Sequence, residues 1–145
     1  ALSCVLNLDD FPNAVVDVYV ELPQTDAGTR CAAISAAAMA LAHAGIPMKD
    51  LVSAIAVGRV DDRVVADLDY REEHIGEFNP ESKGAPVADI PVAVLHATKQ
   101  LTLLQMDGEV SKETLLKSLE LGKKAAEKIY ELQVKALKEK YTKSD

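Results

Sequence analysis

Residues 29–57 read TRCAAISAAAMALAHAGIPMKDLVSAIAV, an alanine-rich segment followed by a short apolar run. The alanine-rich part predicts a helix from about Thr29 to Ala44, because Gly45 and Pro47 end it as a C-terminal glycine and a following proline commonly do. Its small side chains predict that the helix packs closely on a flat surface. The apolar run at 51–57 predicts a strand, which would supply that surface.

The flanking patterns predict more strands. VVDVYVEL at 15–22 alternates apolar and polar residues with period 2, as a half-buried strand does. Residues 64–68 predict the hairpin partner of 51–57, and 90–95 with 100–106 predict a second antiparallel pair.

Two segments complete the pattern. The polar residues 70–86, with their glycines and prolines, predict a long loop that is functional or mobile. After a turn at Asp107-Gly108, Ser111 predicts the N-cap of a last helix that has one mostly apolar face. The expected order is strand, helix, four strands, helix, which is an α+β fold in one segment, residues 1–145.

Composition and charge limit the possible functions. Of the 145 residues 48% are hydrophobic and only 4% aromatic, which predicts a core of Ala, Val, Ile and Leu. The net charge of −7 argues against an open basic surface for nucleic acid, so any RNA contact must use a few local cations or a partner chain.

Nothing in the pattern predicts a membrane protein. We see no apolar run near the roughly 18 residues that span a bilayer, and no secretory leader. Cys4 and Cys31 lie in apolar surroundings, as reduced thiols of a cytoplasmic protein do. The chain opens with ALSCVL and no Met, so we expect a piece of a longer polypeptide.

The first candidate site is Asp26-Ala27-Gly28-Thr29-Arg30, where a strand is expected to give way to a helix. A helix N-terminus attracts anions through its unpaired N–H groups. Gly28 permits close backbone approach, Thr29 adds a hydroxyl donor, and Arg30 adds a guanidinium suited to phosphate. The residues alone also allow ordinary helix capping beside a surface arginine.

The second candidate is a set of acids around the expected loop: Glu72, Glu73, Glu77 and Asp89. Two carboxylates brought together can bind a divalent cation or retain a proton for a leaving group. The alternative is a solvated acidic loop. His43, His74 and His96 show no metal-ligand spacing.

Several motifs together resemble the catalytic RNase PH-type subunits of archaeal exosomes. They are, in order, VDVYVEL, QTDAGTRCAAISAAAMALAHAGIPMKDLVSA, VVADLDYREEHIGE, ADIPVAVL, LTLLQMDG and ALKEKY, and they cover nearly the whole chain. The resemblance implies the C-terminal half of an RNase PH-like domain, which has the ribosomal protein S5 domain 2-like fold. The N-terminal half of that domain, with arginines that hold RNA, is not in this sequence.

The resemblance also implies an activity. Gly28, Thr29 and Arg30 match the segment that binds inorganic phosphate, the co-substrate. Asp89 and Glu73 match the two active-site acids, which would also hold Mg²⁺. The implied reaction is phosphorolysis of RNA from its 3′ end. The implied partners are a homologous non-catalytic sister subunit in a hexameric ring, single-stranded RNA and RNA-binding cap subunits.

The chain departs from the family's pattern at the acids. Glu73 stands where the family usually has Asp, and residues 78–87 contain an apparent insertion between the two acids. These departures favour a first alternative, an inactive ring subunit that scaffolds or binds RNA. Further alternatives are a bacterial-type RNase PH that trims tRNA 3′ ends and a small phosphate-binding domain.

Overall fold

An antiparallel sheet forms the centre of the structure, a computed structural model that describes residues 1–84 and 86–142. Its strands are β1 (Val52–Val60), β2 (Arg63–Ala66), β3 (Val87–Leu95), β4 (Leu101–Leu104) and β5 (Asp107–Gly108). Their order is β2-β1-β3-β4, and β5 pairs with the start of β3. The helices are α1 (Thr29–His43), α2 (Tyr70–Glu73), α3 (Ile75–Phe78) and α4 (Lys112–Thr142).

The two long helices pack on opposite faces of the sheet. Alternate side chains of β1, Val52, Ala54 and Ala56, form a buried cluster with Cys31 and Ala38 of α1. The intervening side chains, Ile55 and Val57, form a second cluster with Ala126 of α4. Both faces of β1 are therefore covered, which explains why its residues are almost continuously apolar.

Most of the predicted order is confirmed. The first long helix spans Thr29–His43, close to its predicted limits, and its small residues contact the sheet as expected. Both predicted antiparallel pairs form, and Ser111 caps α4 because its Oγ accepts a hydrogen bond from the Thr114 N–H at 3.1 Å. The α+β fold class follows directly from these elements.

The predicted first strand does not form. Residues 15–22 adopt no strand, and Val15 and Tyr19 are 83% and 88% exposed. A strand needs a neighbour for its backbone hydrogen bonds, and the described residues provide none for this segment. Val16 and Val18 line an apolar cavity of about 410 Å³ with Leu41 of α1, but they remain 49% and 46% exposed.

The predicted long loop contains helical turns. Residues 70–73 and 75–78 form α2 and α3, and a 3₁₀ turn follows at Pro80–Ser82. Asp69 begins α2 with a capping box: its Oδ1 accepts from the Glu72 N–H at 2.8 Å, and Glu72 Oε2 accepts from the Asp69 N–H at 3.0 Å. The Asp-x-x-Glu spacing at 69–72 is typical of such a start, whereas the glycines and prolines that follow it are typical of a loop.

The turn predicted at Asp107-Gly108 does not form. These two residues form β5 and pair with Asp89 and Ala88.

No helix in the described residues is long and apolar enough to cross a membrane.

Candidate active site

The phosphate-loop candidate lies at the N-terminus of α1. Gly28 has φ +67°, a left-handed backbone conformation that residues other than glycine adopt only with strain. α1 begins at the next residue, Thr29, and no side chain caps its N-terminus. Its first N–H groups, at the positive end of a 15-residue helix, can therefore receive an anion.

Arg30 projects from the first turn of α1 and contacts the sheet side of the site. Its Nη1 donates a hydrogen bond to Oε1 of Gln105, at a distance of 2.5 Å. Gln105 lies between β4 and β5, 75 residues away in the chain, and its N–H donates to the carbonyl of Pro91 in β3. The sheet therefore orients the guanidinium of Arg30.

Asp89 lies in β3, between two close strand neighbours. Gly58 of β1 is its partner on one side and Asp107 of β5 on the other. A Cβ at position 58 would collide with the backbone oxygen of Ala88. Gly58 therefore lets the backbone that carries Asp89 lie close against β1.

The Asp89 carboxyl is half-buried, and its Oδ1 is buried with no hydrogen-bond partner among the described residues. Burial raises the pKa of Asp89 above its ordinary value, the charge of Arg30 opposes that rise, and the charge of Asp107 adds to it. An unpartnered buried oxygen is costly, so this carboxyl is suited to accept a ligand or to retain a proton.

Glu73 is the last residue of α2, and its carboxyl is half-buried. Burial raises the pKa of Glu73, and the charge of Asp89 raises it further. Each acid of the predicted pair therefore favours its protonated form more than an isolated carboxyl does. The insertion between them does not keep them apart.

One open cavity of about 270 Å³ joins the two acids. Its described lining residues are Glu73, His74, Val87, Asp89, Asp107 and Gly108. Gly28, Thr29 and Arg30 lie outside this lining, although the charge of Arg30 acts on Asp89. The predicted acids thus share one cavity, and the phosphate-loop candidate lies beside it.

Asp26 connects the loop to the acid-bearing helix. Its Oδ1 accepts hydrogen bonds from the N–H of Ala27 at 3.0 Å and from the N–H of Tyr70 at 2.9 Å. Tyr70 is the first residue of α2, and Glu73 is the last. A shift of the loop would therefore move the helix that carries Glu73.

The sequence does not single out three residues of this site: His74, Gln105 and Asp107. His74 shows no metal-ligand spacing, and Asp107-Gly108 predicts a turn but forms the short strand β5. Gln105 carried no sequence signal, because its partner is decided by the tertiary contact.

Two carboxyls at this cavity could supply part of the coordination shell of a divalent cation. Glu73 and Asp89 offer carboxylate oxygens in one cavity, and Oδ1 of Asp89 has no partner in the described structure. Among the described residues, no three His, Cys, Asp or Glu side chains form a group that could hold a metal ion alone. Mg²⁺ commonly binds to one or two carboxylates and completes its shell with phosphate and water.

Comparison with known proteins gives the family. Residues 50–125, about half of the chain, match the 3′ exoribonuclease family, domain 2. The exosome complex component Rrp41 of Thermococcus gammatolerans is 47% identical over 143 residues, which are 99% of this chain and 53% of that protein. Rrp41 of Nitrosopumilus maritimus is 43% identical over 141 residues, 97% of this chain and 54% of that protein.

A solved structure has a fold similar to that of this chain. The crystal structure of rice (Oryza sativa) Rrp46 gives a TM-score of 0.66 at 26% identity, over 79% of this chain and 50% of that chain. The RNase PH-like fold inferred from the sequence motifs is confirmed. The chain spans about half the length of the curated relatives it matches. By its family match, its relatives and its fold, this chain belongs to the 3′ exoribonuclease family, of which it carries domain 2.

Proposed function

We propose that this protein is a phosphorolytic 3′-to-5′ exoribonuclease subunit of an exosome ring. The observation that supports it most is the position of Arg30 at the N-terminus of α1, where its charge acts on the half-buried carboxyl of Asp89. A helix N-terminus that could receive an anion therefore lies near a carboxyl with a raised pKa. That pairing is what a phosphate nucleophile and a proton donor require.

The reaction follows from these groups. Inorganic phosphate, bound by Arg30 and the first N–H groups of α1, attacks the phosphorus of the last phosphodiester. The bond from phosphorus to the 3′ oxygen breaks, and that oxygen takes a proton from the Asp89 or Glu73 carboxyl. The products are a nucleoside 5′-diphosphate and an RNA that is one nucleotide shorter. Most of the rate gain comes from orientation and charge stabilisation, as in other phosphoryl transfers.

Mg²⁺ is the proposed cofactor; whichever of Glu73 and Asp89 is ionised would bind it, while the other carboxyl keeps the proton for the leaving oxygen. The Mg²⁺ ion would neutralise charge on the phosphate oxygens.

The assembly belongs to the same proposal. Residues 1–145 would form the C-terminal half of an RNase PH-type domain, since the curated relatives are about twice as long. The domain would alternate with a homologous non-catalytic subunit in a cytoplasmic hexameric ring, with RNA-binding cap subunits. The net charge of −7 favours RNA entry through a pore, where a few cations act locally, over binding on an open surface.

An inactive ring subunit is the second candidate. Glu73 is longer by one methylene than the aspartate usual at its position, and misplacement by about 1 Å can cost roughly a hundredfold in rate. The shared cavity of Glu73 and Asp89 supports the active form instead. A Glu73→Asp variant separates the two: activity that appears only in the variant identifies Glu73 as the cause of inactivity.

The direct test uses the full-length protein assembled with its sister subunit. It is incubated with 5′-labelled single-stranded RNA, with and without inorganic phosphate, and the products are analysed for nucleoside diphosphates. We expect shortening that requires phosphate, and a loss of at least about a hundredfold in Asp89→Asn, the usual contribution of a positioned acid. RNA that binds but is never shortened would contradict phosphorolysis. Activity restricted to tRNA 3′ ends in a ring of identical subunits would indicate the bacterial-type enzyme.

A further inference from the structure

Three aromatic rings form an exposed ledge beside the acid cavity. Tyr70 of α2 stacks on His74 with ring centroids 4.1 Å apart and 25° between the planes. Phe78, the last residue of α3, meets Tyr70 edge-on at 6.0 Å. Tyr70 is 48% exposed and Phe78 is 53% exposed. We call Tyr70, His74 and Phe78 the aromatic ledge.

The ledge is continuous with the candidate active site. His74 follows Glu73 directly in the chain and lines the same cavity as Glu73 and Asp89. Phe78 begins the apparent insertion at 78–87, so this segment contributes a ring to the ledge. Aromatic residues make up only 4% of this chain, yet a half-exposed Tyr70 stacks on the cavity-lining His74, and a half-exposed Phe78 contacts Tyr70. Exposed rings grouped at a cavity commonly mark a binding surface.

The surrounding charges restrict what can bind there. Asp69, Glu72, Glu73 and Glu77 lie in the same short segment, and they would repel a phosphate group. Arg71 is a nearby cation, and its guanidinium carbon lies 5.8 Å from the centroid of the Phe78 ring. The ledge therefore suits a flat, uncharged group, while the phosphates of the same substrate lie towards Arg30.

We propose that the aromatic ledge binds the nucleobase of the 3′-terminal nucleotide of the RNA. This inference rests on the proposed function, because a terminal nucleotide whose phosphodiester is cleaved beside Asp89 must place its base nearby. Stacking on aromatic side chains accepts every base, since each has a π-face. The ledge would thus hold successive 3′ nucleotides without strong sequence preference.

The test uses fluorescence of 2-aminopurine, a base analogue that is quenched when it stacks. The full-length protein in its assembled ring is mixed, without phosphate, with RNA that carries 2-aminopurine at its 3′ end. We expect quenching on binding, and affinity roughly tenfold weaker in His74→Ala or Phe78→Ala, which corresponds to about 1.4 kcal/mol of lost stacking. His74→Phe keeps a ring at the cavity and is expected to retain the quenching.

The chain offers a matched control. His96 and Tyr130 form a similar stack, with centroids 3.8 Å apart and 1° between the planes, and neither lines the acid cavity. Tyr130→Ala should leave quenching and RNA affinity unchanged. With 2-aminopurine at an internal position of the RNA, the ledge variants should show the same quenching as the unmodified protein. Phe78→Ala removes a ring that is 53% exposed, so we expect it to disturb folding less than a truncation in the core does.

An RNA with an abasic 3′-terminal nucleotide distinguishes binding of the base from contact with another part of the RNA. If the ledge binds the terminal base, His74→Ala and Phe78→Ala bind this RNA as well as the unmodified protein does. An equal loss of affinity for the abasic RNA would overturn the proposal and indicate contact with another part of the RNA. Absence of quenching in the unmodified protein would also overturn it.

The failure of the proposed function is recognised separately. RNA shortening is measured with phosphate on the same preparations. Quenching without shortening leaves the ledge as a base-binding surface and contradicts phosphorolysis. Shortening without quenching supports phosphorolysis and contradicts the ledge.

Discussion

Arg30 and Gln105 form a contact whose role can be tested at the scale of single residues. Gln105 accepts a hydrogen bond from the guanidinium, so it is a positioning residue for the proposed phosphate site. We expect Gln105→Ala to raise the KM for phosphate about fivefold, the size of one net hydrogen bond, with little change in kcat. Steady-state kinetics at varied phosphate concentration measure this. Gln100→Ala, an exposed glutamine that contacts Thr98, is the control, and equal kinetic changes in both variants would contradict the role.

Asp89 is expected to lower the free energy of unfolding at neutral pH. Burial raises its pKa, so the folded state holds the proton more tightly than the unfolded state does. The folded state is therefore favoured at acidic pH, and this advantage is lost as the pH rises through the raised pKa. We expect Asp89→Asn to increase the free energy of unfolding at pH 7, because the amide has no charge to bury.

Urea unfolding at several pH values checks this expectation. The difference between Asp89→Asn and the unmodified protein should shrink as the pH falls below the ordinary carboxyl pKa. A variant that is less stable at pH 7 would contradict it.

At the scale of elements, Asp26 joins two parts of the site. Asp26→Ala removes the acceptor of the Tyr70 and Ala27 N–H groups, so α2 and the loop can move apart. We expect kcat/KM for phosphate to fall roughly tenfold, which a misplaced catalytic group easily produces. Hydrogen exchange at the Tyr70 amide should become faster. Asp26→Asn keeps an oxygen acceptor and should recover most of the rate; if both variants lose activity equally, the tether is not the cause.

At the scale of the whole molecule, Gln133 links both long helices to the central strand. Its Nε2 donates to the carbonyls of Ser35 in α1 and Val52 in β1, and its Oε1 accepts from Ser53 Oγ at 2.7 Å. Gln133 is only 3% exposed. Gln133→Ala would remove three hydrogen bonds and leave the buried hydroxyl of Ser53 without this partner, so we expect a loss of about 3 kcal/mol in the free energy of unfolding.

Urea denaturation of Gln133→Ala and Leu132→Ala tests this link. Leu132 precedes Gln133 on α4 but is 65% exposed, so its truncation should change stability by less than about 0.5 kcal/mol. Similar losses in the two variants would mean that the helix itself, and not the buried amide, determines the effect.

The sequence by itself determined the local features of this protein. The alanine-rich pattern predicted α1 because helix propensity and the glycine after the helix act within a few residues. Motif resemblance pointed to the family and selected Glu73 and Asp89, which the structure places in one cavity. The tertiary structure alone decided the partners of these groups, because strand register brings together side chains that are far apart in the chain.

Arg30 thus contacts Gln105 across 75 residues, and Asp89 pairs with Asp107 through β5. Residues 15–22 show that a local sequence pattern alone does not produce a strand. Their alternation predicts a half-buried strand, but a strand forms only when another backbone lies beside it to accept and donate its hydrogen bonds, and Val16 and Val18 stay about half exposed.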